Sequence, residues 1–233
     1  MTEYLLFIDT ETSGLPVNWG QPYAKANNWP HAVQVSWLIY NPDRSLLKKE
    51  NHYIKNNGFT ISPQATAIHG ITDAFLTENG KDSLEVLQLL AVDLLKYRPM
   101  VIGHFALLDY HVLGAEYYRL AMSNPMRELP VFCTMMATRQ LVWNPMPRYL
   151  RLEDLYCYLF CKDLLGQHNA INDAQGTADC FFELLNRNEV NEGTIERQTA
   201  RFEKSRYPEN SRRGCLLPLA AVFLLLLFII WIL

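Results

Sequence analysis

The sequence leaves little room for disulfide chemistry. Its five cysteines, Cys133, Cys157, Cys161, Cys180 and Cys215, are odd in number and contain no C-x-x-C pair. A disulfide-built miniprotein is excluded, and the thiols read as reduced and as small core hydrophobes. That reading includes Cys157 and Cys161, which share a helix face at i, i+4. Charge is also sparse, at 19% of residues and a net −3, and neither internal repeats nor low-complexity segments occur in the body of the chain. These lacks exclude a collagen-like or disordered chain. The first apolar run, Tyr4 to Ile8, stops at Asp9 and is too short for the apolar core of a secretion signal.

The apolar content is unevenly spread. Residues 216–233 read LLPLAAVFLLLLFIIWIL, 18 residues of which 17 are apolar and none charged. Charge divides in the same place: residues 199–233 carry +3 and residues 1–198 carry −6. An acidic body argues against a broad DNA-coating surface. It is compatible with a nucleic-acid enzyme whose bound divalent metals supply the positive charge.

Periodicity predicts three strands followed by strands alternating with helices. Tyr4–Ile8 is a continuous apolar run covered on both faces, Val33–Tyr40 a second strand and Leu46–Ile54 a third, in the pattern of an antiparallel meander. Residues 16–31, with Pro16, Pro22 and Pro30, form a long surface loop. Helices are predicted over Ser62–His69, Ser83–Tyr97 with Ser83 as N-cap, Ala106–Leu120, Thr134–Val142, Leu152–Phe160 and Ala170–Asn186. Short strands are predicted at Met100–Gly103 and Val131–Cys133. The expected fold class is α/β, a mixed central sheet flanked by helices. Residues 188–214 read as a polar, basic linker or frayed helix.

Three places carry acids in unusual settings. Asp9 and Glu11 end the first strand at i and i+2, so both face one side about 7 Å apart. They cannot both stay ionised there without a cation, unless the strand end is simply solvated. Asp109 interrupts an apolar helix directly after a buried strand, where an acid needs a partner or an exposed position. His168 falls just before the last helix and Asp173 in its first turn. Ala170, Ala174, Gly176 and Ala178 would let that helix approach the sheet closely. His168 can reach the same cavity as Asp173 and is a natural proton acceptor near neutral pH, or else a surface histidine.

The order D-x-E, then an acid about 100 residues on, then H-x-A-x-x-D resembles the DEDDh group of 3′–5′ exonucleases in the ribonuclease H-like superfamily. This is the domain type of the polymerase III epsilon subunit and of RNase T. The resemblance spans about Tyr4 to Leu185. It includes Thr12-Ser13-Gly14-Leu15 after the first motif and Ile68-His69-Gly70-Ile71-Thr72. Two departures stand out: Phe105 occupies the place of the family's Asn in its second motif, and Leu108 that of its Phe.

The resemblance implies an exonuclease domain at residues 1–187, hydrolysing phosphodiester bonds from nucleic-acid 3′ ends, DNA or RNA, and releasing nucleoside 5′-monophosphates. It implies two Mg²⁺ or Mn²⁺ ions held by Asp9, Glu11, Asp109 and Asp173. His168 would accept the proton of the attacking water. Thr12, Gly14 and Leu15 would border the terminal nucleotide, with Leu15 as a wedge against its base. His69 and Phe105 would adjoin that pocket. The alternative is a non-catalytic, exonuclease-like binding or scaffold module. Whether a homodimer or a polymerase complex forms is left open by the residues.

The apolar run at 215–233 is expected to be a C-terminal transmembrane anchor. As a helix, residues 216–233 would reach ~27 Å across a bilayer core of ~30 Å. Arg212 and Arg213 beside it would keep the catalytic domain cytoplasmic.

Overall fold

The computed structural model describes residues 4–139, 141 and 149–206. Five strands form one sheet: β1 Leu5–Thr12, β2 Ala32–Tyr40, β3 Leu46–Tyr53, β4 Met100–Gly103 and β5 Val131–Cys133, in the order β3-β2-β1-β4-β5. β1 pairs antiparallel with β2, and β2 with β3, while β1–β4 and β4–β5 are parallel. β1 therefore sits in the middle, with the C-terminal ends of β1, β4 and β5 along one edge. The helices are α1 Pro63–His69, α2 Asp73–Asn79, α3 Ser83–Tyr97, α4 Ala106–Arg119, α5 Thr134–Thr138, α6 Leu152–Phe160, α7 Ala170–Asn186 and α8 Glu192–Arg206.

Alternation along β1 divides the core in two. Leu6 and Ile8 join Val35, Trp37 and Ile39 of β2 and pack with Leu87, Leu90 and Leu94 of α3 and Tyr110, Leu113 and Tyr117 of α4. Phe7, on the opposite face, packs with Leu38, Ile102 and Phe132 against Leu155 of α6 and Ala174, Ala178 and Phe181 of α7. Phe181 meets Phe7 and Phe132 edge-on at centroid distances of 5.7 and 5.4 Å. Burying such a ring contributes about 1.5–3 kcal/mol. The small residues of α7 do what their size predicts. Ala170, Ala174 and Ala178 are fully buried, and a Cβ at Gly176 would lie 2.8 Å from Leu164.

Several expectations are corrected. A transmembrane helix was part of the expected fold, but among the described residues no helix is long and apolar enough to cross a membrane. The expected anchor at 216–233 lies outside the described residues. The membrane localisation and cytoplasmic orientation that depended on it have no support in the described structure. The segment read as a linker contains α8, whose Ile195 and Phe202 are buried. Two apolar residues seven apart are two turns of one helix face, enough to dock an otherwise polar helix. Gln198, between them, accepts a 2.6 Å hydrogen bond at Oε1 from the Cys133 amide at the end of β5. The N-cap of α3 is Asp82, whose carboxylate accepts from the Leu84 N–H at 2.8 Å, and not Ser83. Cys133 and Cys180 are buried, but Cys157 and Cys161 are exposed, the latter ending α6 in a left-handed conformation. α2 was not anticipated; Thr72 caps it through the Phe75 N–H.

Candidate active site

The acids collect at the C-terminal end of β1. Asp9 and Glu11, like Phe7, project to the α7 face, whereas Thr10 projects to the α4 face. On the α7 face, carboxylate oxygens of Asp9, Glu11 and Asp173 all lie within 4.8 Å of one another. Asp173 reaches them because β2 holds the start of α7. Gln34, paired across the strands with Glu11, is buried with all its polar atoms engaged. Its Oε1 accepts the Ala170 N–H at 3.2 Å, and its Nε2 donates to Asn169 Oδ1 at 3.0 Å and Asn51 Oδ1 at 2.8 Å. Asn169 caps α7, so one β2 side chain sets where the helix begins and therefore where Asp173 points.

Asp109 is placed differently. It stands on the first turn of α4, 3% exposed, and its Oδ1 accepts both the N–H of Thr10 at 3.0 Å and the hydroxyl of Thr10 at 2.8 Å. It lies beside the cluster of three. Gly103 makes room for it, since a Cβ there would sit 3.2 Å from Asp109 Oδ2.

Electrostatics show the strain of gathering these charges. Burial, then repulsion from Asp109, Asp173 and Glu11, raises the Asp9 carboxyl well above its ordinary value. Burial, then Asp173 and Asp109, pushes Glu11 up to about 7. Burial raises Asp109 to about 7 against the two bonds from Thr10, and burial raises Asp173 to about 6. Asp173 Oδ2 accepts the His168 N–H at 3.0 Å, but its Oδ1 is buried without a hydrogen-bond partner. A buried carboxylate oxygen without a donor is costly in a folded protein. A hard divalent cation fits this all-oxygen donor set and would satisfy that oxygen.

The other candidate residues surround the cluster. His168 is exposed on the loop before α7, with φ of 59°. His69 is half-buried, its Nε2 3.2 Å from the Thr12 carbonyl and its Nδ1 accepting from the Ile71 N–H at 3.0 Å. That geometry fits a neutral ring with the proton on Nε2, and burial lowers its pKa accordingly. Thr12 Oγ1 donates to the Gly14 carbonyl at 2.6 Å, and Leu15 projects outward, 71% exposed. Beside Leu15 opens a cleft of about 740 Å³ bordered by Trp29, His31, Phe59 and Arg119. Phe105 precedes α4 with φ of 74° and makes no side-chain cap, its ring 5.8 Å from that of Trp19.

Sequence reasoning missed three contributors. Gln34 was hidden because its role depends on strand pairing. Thr10 was hidden because it reads as an ordinary strand residue. His104 is half-buried, its ring held between Thr134 Oγ1 at 2.9 Å and the Leu150 carbonyl at 3.1 Å, and loss of water around it lowers its pKa to about 4. The Gly103-His104 pair after a buried strand was the available signal for it.

A mixed sheet with three acids gathered at the end of its central strand is a setting that can hold a divalent cation. Residues 6–181 match the RNase T exonuclease model, and the chain belongs to that exonuclease family. It is 27% identical over 175 residues to the DNA polymerase III subunit epsilon of Buchnera aphidicola subsp. Schizaphis graminum, covering 74% of this chain and 70% of the relative. Among solved structures it resembles Escherichia coli exonuclease I in complex with a dT13 oligonucleotide, with a TM-score of 0.64 at 18% identity over 78% of this chain and 40% of that one. It also resembles the nuclease domain of 3′hExo, a DEDDh family member bound to rAMP, with a TM-score of 0.58 at 14% identity over 79% of this chain and 92% of that one. The chain thus spans about two fifths of exonuclease I.

Proposed function

We propose that the protein is a metal-dependent 3′–5′ exonuclease that hydrolyses nucleic-acid phosphodiester bonds and releases nucleoside 5′-monophosphates. The observation that carries the reading is the convergence of Asp9, Glu11 and Asp173 within 4.8 Å, with a buried Asp173 oxygen lacking a donor and Asp109 alongside. Asp9, Glu11 and Asp173 would hold one Mg²⁺ or Mn²⁺ ion, and Asp9 with Asp109 a second. When bound, such ions stabilise the negative charge that builds on a phosphodiester under attack.

The remaining work falls to the chain. A ring nitrogen of His168 takes the proton of the attacking water, whose oxygen bonds to phosphorus as the bond to the 3′ oxygen breaks. That oxygen gains a proton and leaves as the new 3′ hydroxyl of the shortened strand. The backbone bond from His168 to Asp173 keeps the base beside the acid cluster. Leu15, with Thr12 and Gly14 fixing its turn, meets the last base, and His69 holds that turn through the Thr12 carbonyl. The dT13 strand bound to exonuclease I and the rAMP bound to the 3′hExo nuclease domain are consistent with a polynucleotide substrate.

The test is digestion of a 5′-labelled oligonucleotide by the purified full chain with Mn²⁺. Stepwise shortening from the 3′ end, arrested by EDTA, is expected. His168→Ala should slow it by ~10²–10⁴-fold. Shortening from the 5′ end, full activity in EDTA, or an unaffected His168→Ala enzyme would each defeat the assignment.

A further inference from the structure

A second cavity lies away from the acids, at the β5 edge of the sheet. It measures about 250 Å³ and is walled by Met136 of α5, by Arg139, which follows α5, by Tyr149, and by Thr194, Arg197, Gln198 and Arg201 of α8. Among the described residues no carboxylate lines it. Among the described residues none of its three guanidinium groups has an ion-pair partner. Arg197 donates to Thr194 Oγ1 at 3.3 Å, and Arg139 lies over the Tyr149 ring at 5.7 Å. Gln198 has committed its Oε1 to the Cys133 amide, which leaves its Nε2 donors for a ligand. The lining is rich in donors and poor in acceptors.

The sorting of charge on α8 points the same way. Arg197 and Arg201, one turn apart, face this cavity. Glu192, Glu196 and Glu203 line a different groove with Leu5, Met100 and Pro130. Like charges at i, i+4 repel and weaken a helix, and a bound anion relieves that repulsion. Arginine forks match the oxygens of a phosphate in geometry and charge. The cavity's position suggests whose phosphate it is. β5 lies two strands from β1, a lateral offset of about 10 Å from the strand that carries Asp9 and Glu11.

We infer that this cavity binds a backbone phosphate of the substrate strand, upstream of the 3′ end. The identity of the polymer rests on the exonuclease reading; the preference for a phosphate does not.

The experiment measures binding of a 5′-fluorescein ten-nucleotide DNA strand to the full chain in EDTA, where cleavage does not enter. The variant R139Q/R197Q/R201Q should bind at least tenfold more weakly, and its slope of log K against log salt should be shallower by about 2. All three side chains are exposed, so the fold should tolerate the change. The variant K49Q/K81Q/K96Q, with the same change in net charge, should bind like the unaltered protein. An unchanged affinity in the arginine variant, or an equal loss in the lysine variant, overturns the inference. So does a thermal shift with inorganic phosphate that needs the arginines while strand binding does not, since that marks a small-anion site. If the strand binds through the arginines but is never shortened with Mn²⁺, the exonuclease reading fails and this one stands.

Discussion

On the α4 side of β1, both hydrogen bonds from Thr10 land on one buried acid, Asp109. On the α7 side, three acids share one space, and an oxygen of Asp173 has no donor. Elsewhere in the fold a buried acid has its charge paired: Asp93 Oδ2 accepts from Trp37 Nε1 at 2.9 Å and from Lys48 Nζ at 2.7 Å. The contrast teaches that burial alone does not mark a site. Asp93 is an acid the protein completes by itself, whereas the α7 cluster, with Asp109 beside it, is left for something else to complete.

Replacing an acid of the incomplete cluster should separate activity from stability. Asp173→Asn is expected to lower nuclease turnover by at least ~10³-fold while raising the thermal midpoint in EDTA, because an amide N–H then faces the remaining carboxylates. A lower midpoint in EDTA would erase the distinction between the two faces. The next largest effect compares two positioning residues. Gln34→Met frees the start of α7 and should cut turnover by about tenfold or more, consistent with misplacement of a catalytic group. Thr10→Val keeps the backbone bond to Asp109 and should cost about 1–2 kcal/mol of stability through the lost hydroxyl bond. Urea titration and steady-state kinetics on both variants measure the difference.

A smaller effect concerns pH. Between the ordinary carboxylate range near 4 and the raised values of about 6 for Asp173 and about 7 for Glu11 and Asp109, the folded state binds more protons than the unfolded one. Stability of the metal-free protein is therefore greatest below that window and falls as pH rises through it. The midpoint in EDTA should drop by about 5 °C from pH 5 to pH 8, and Mg²⁺ at pH 8 should recover it. A midpoint that rose over that range in EDTA would contradict the shifts. The smallest effect belongs to Phe105. A bulky residue with φ of 74° that caps nothing is strained, and Phe105→Asn should stabilise the start of α4 by about 1 kcal/mol, read by thermal unfolding.

The parts legible in the sequence are those written in local spacing. β1 and its D-x-E pair and the small residues of α7 follow from periods of two and 3.6 read along one segment, whereas His168 with Asp173 is marked by the motif order of the family resemblance. The parts that were not legible depend on contacts between segments. The bond from Thr10 to Asp109 joins residues 99 apart, and Gln34 acts on a helix that starts 136 residues later. α8 read as a linker because Ile195 and Phe202 are too few to outweigh its charged residues until β5 supplies a surface. Exposure of Cys157 and Cys161 was missed because a shared helix face does not say which way that face turns.

The bond between Gln198 and Cys133 has a meaning beyond the cavity it adjoins. A sheet that ends in an open strand offers its spare backbone groups to any other chain that comes near. At the far end, β3 discourages such pairing with Lys48, Lys49 and Glu50. β5 has no charge to do so, being Val131, Phe132 and Cys133. By taking up the Cys133 amide with a side chain, α8 closes that end of the sheet and acts as a guard against aggregation.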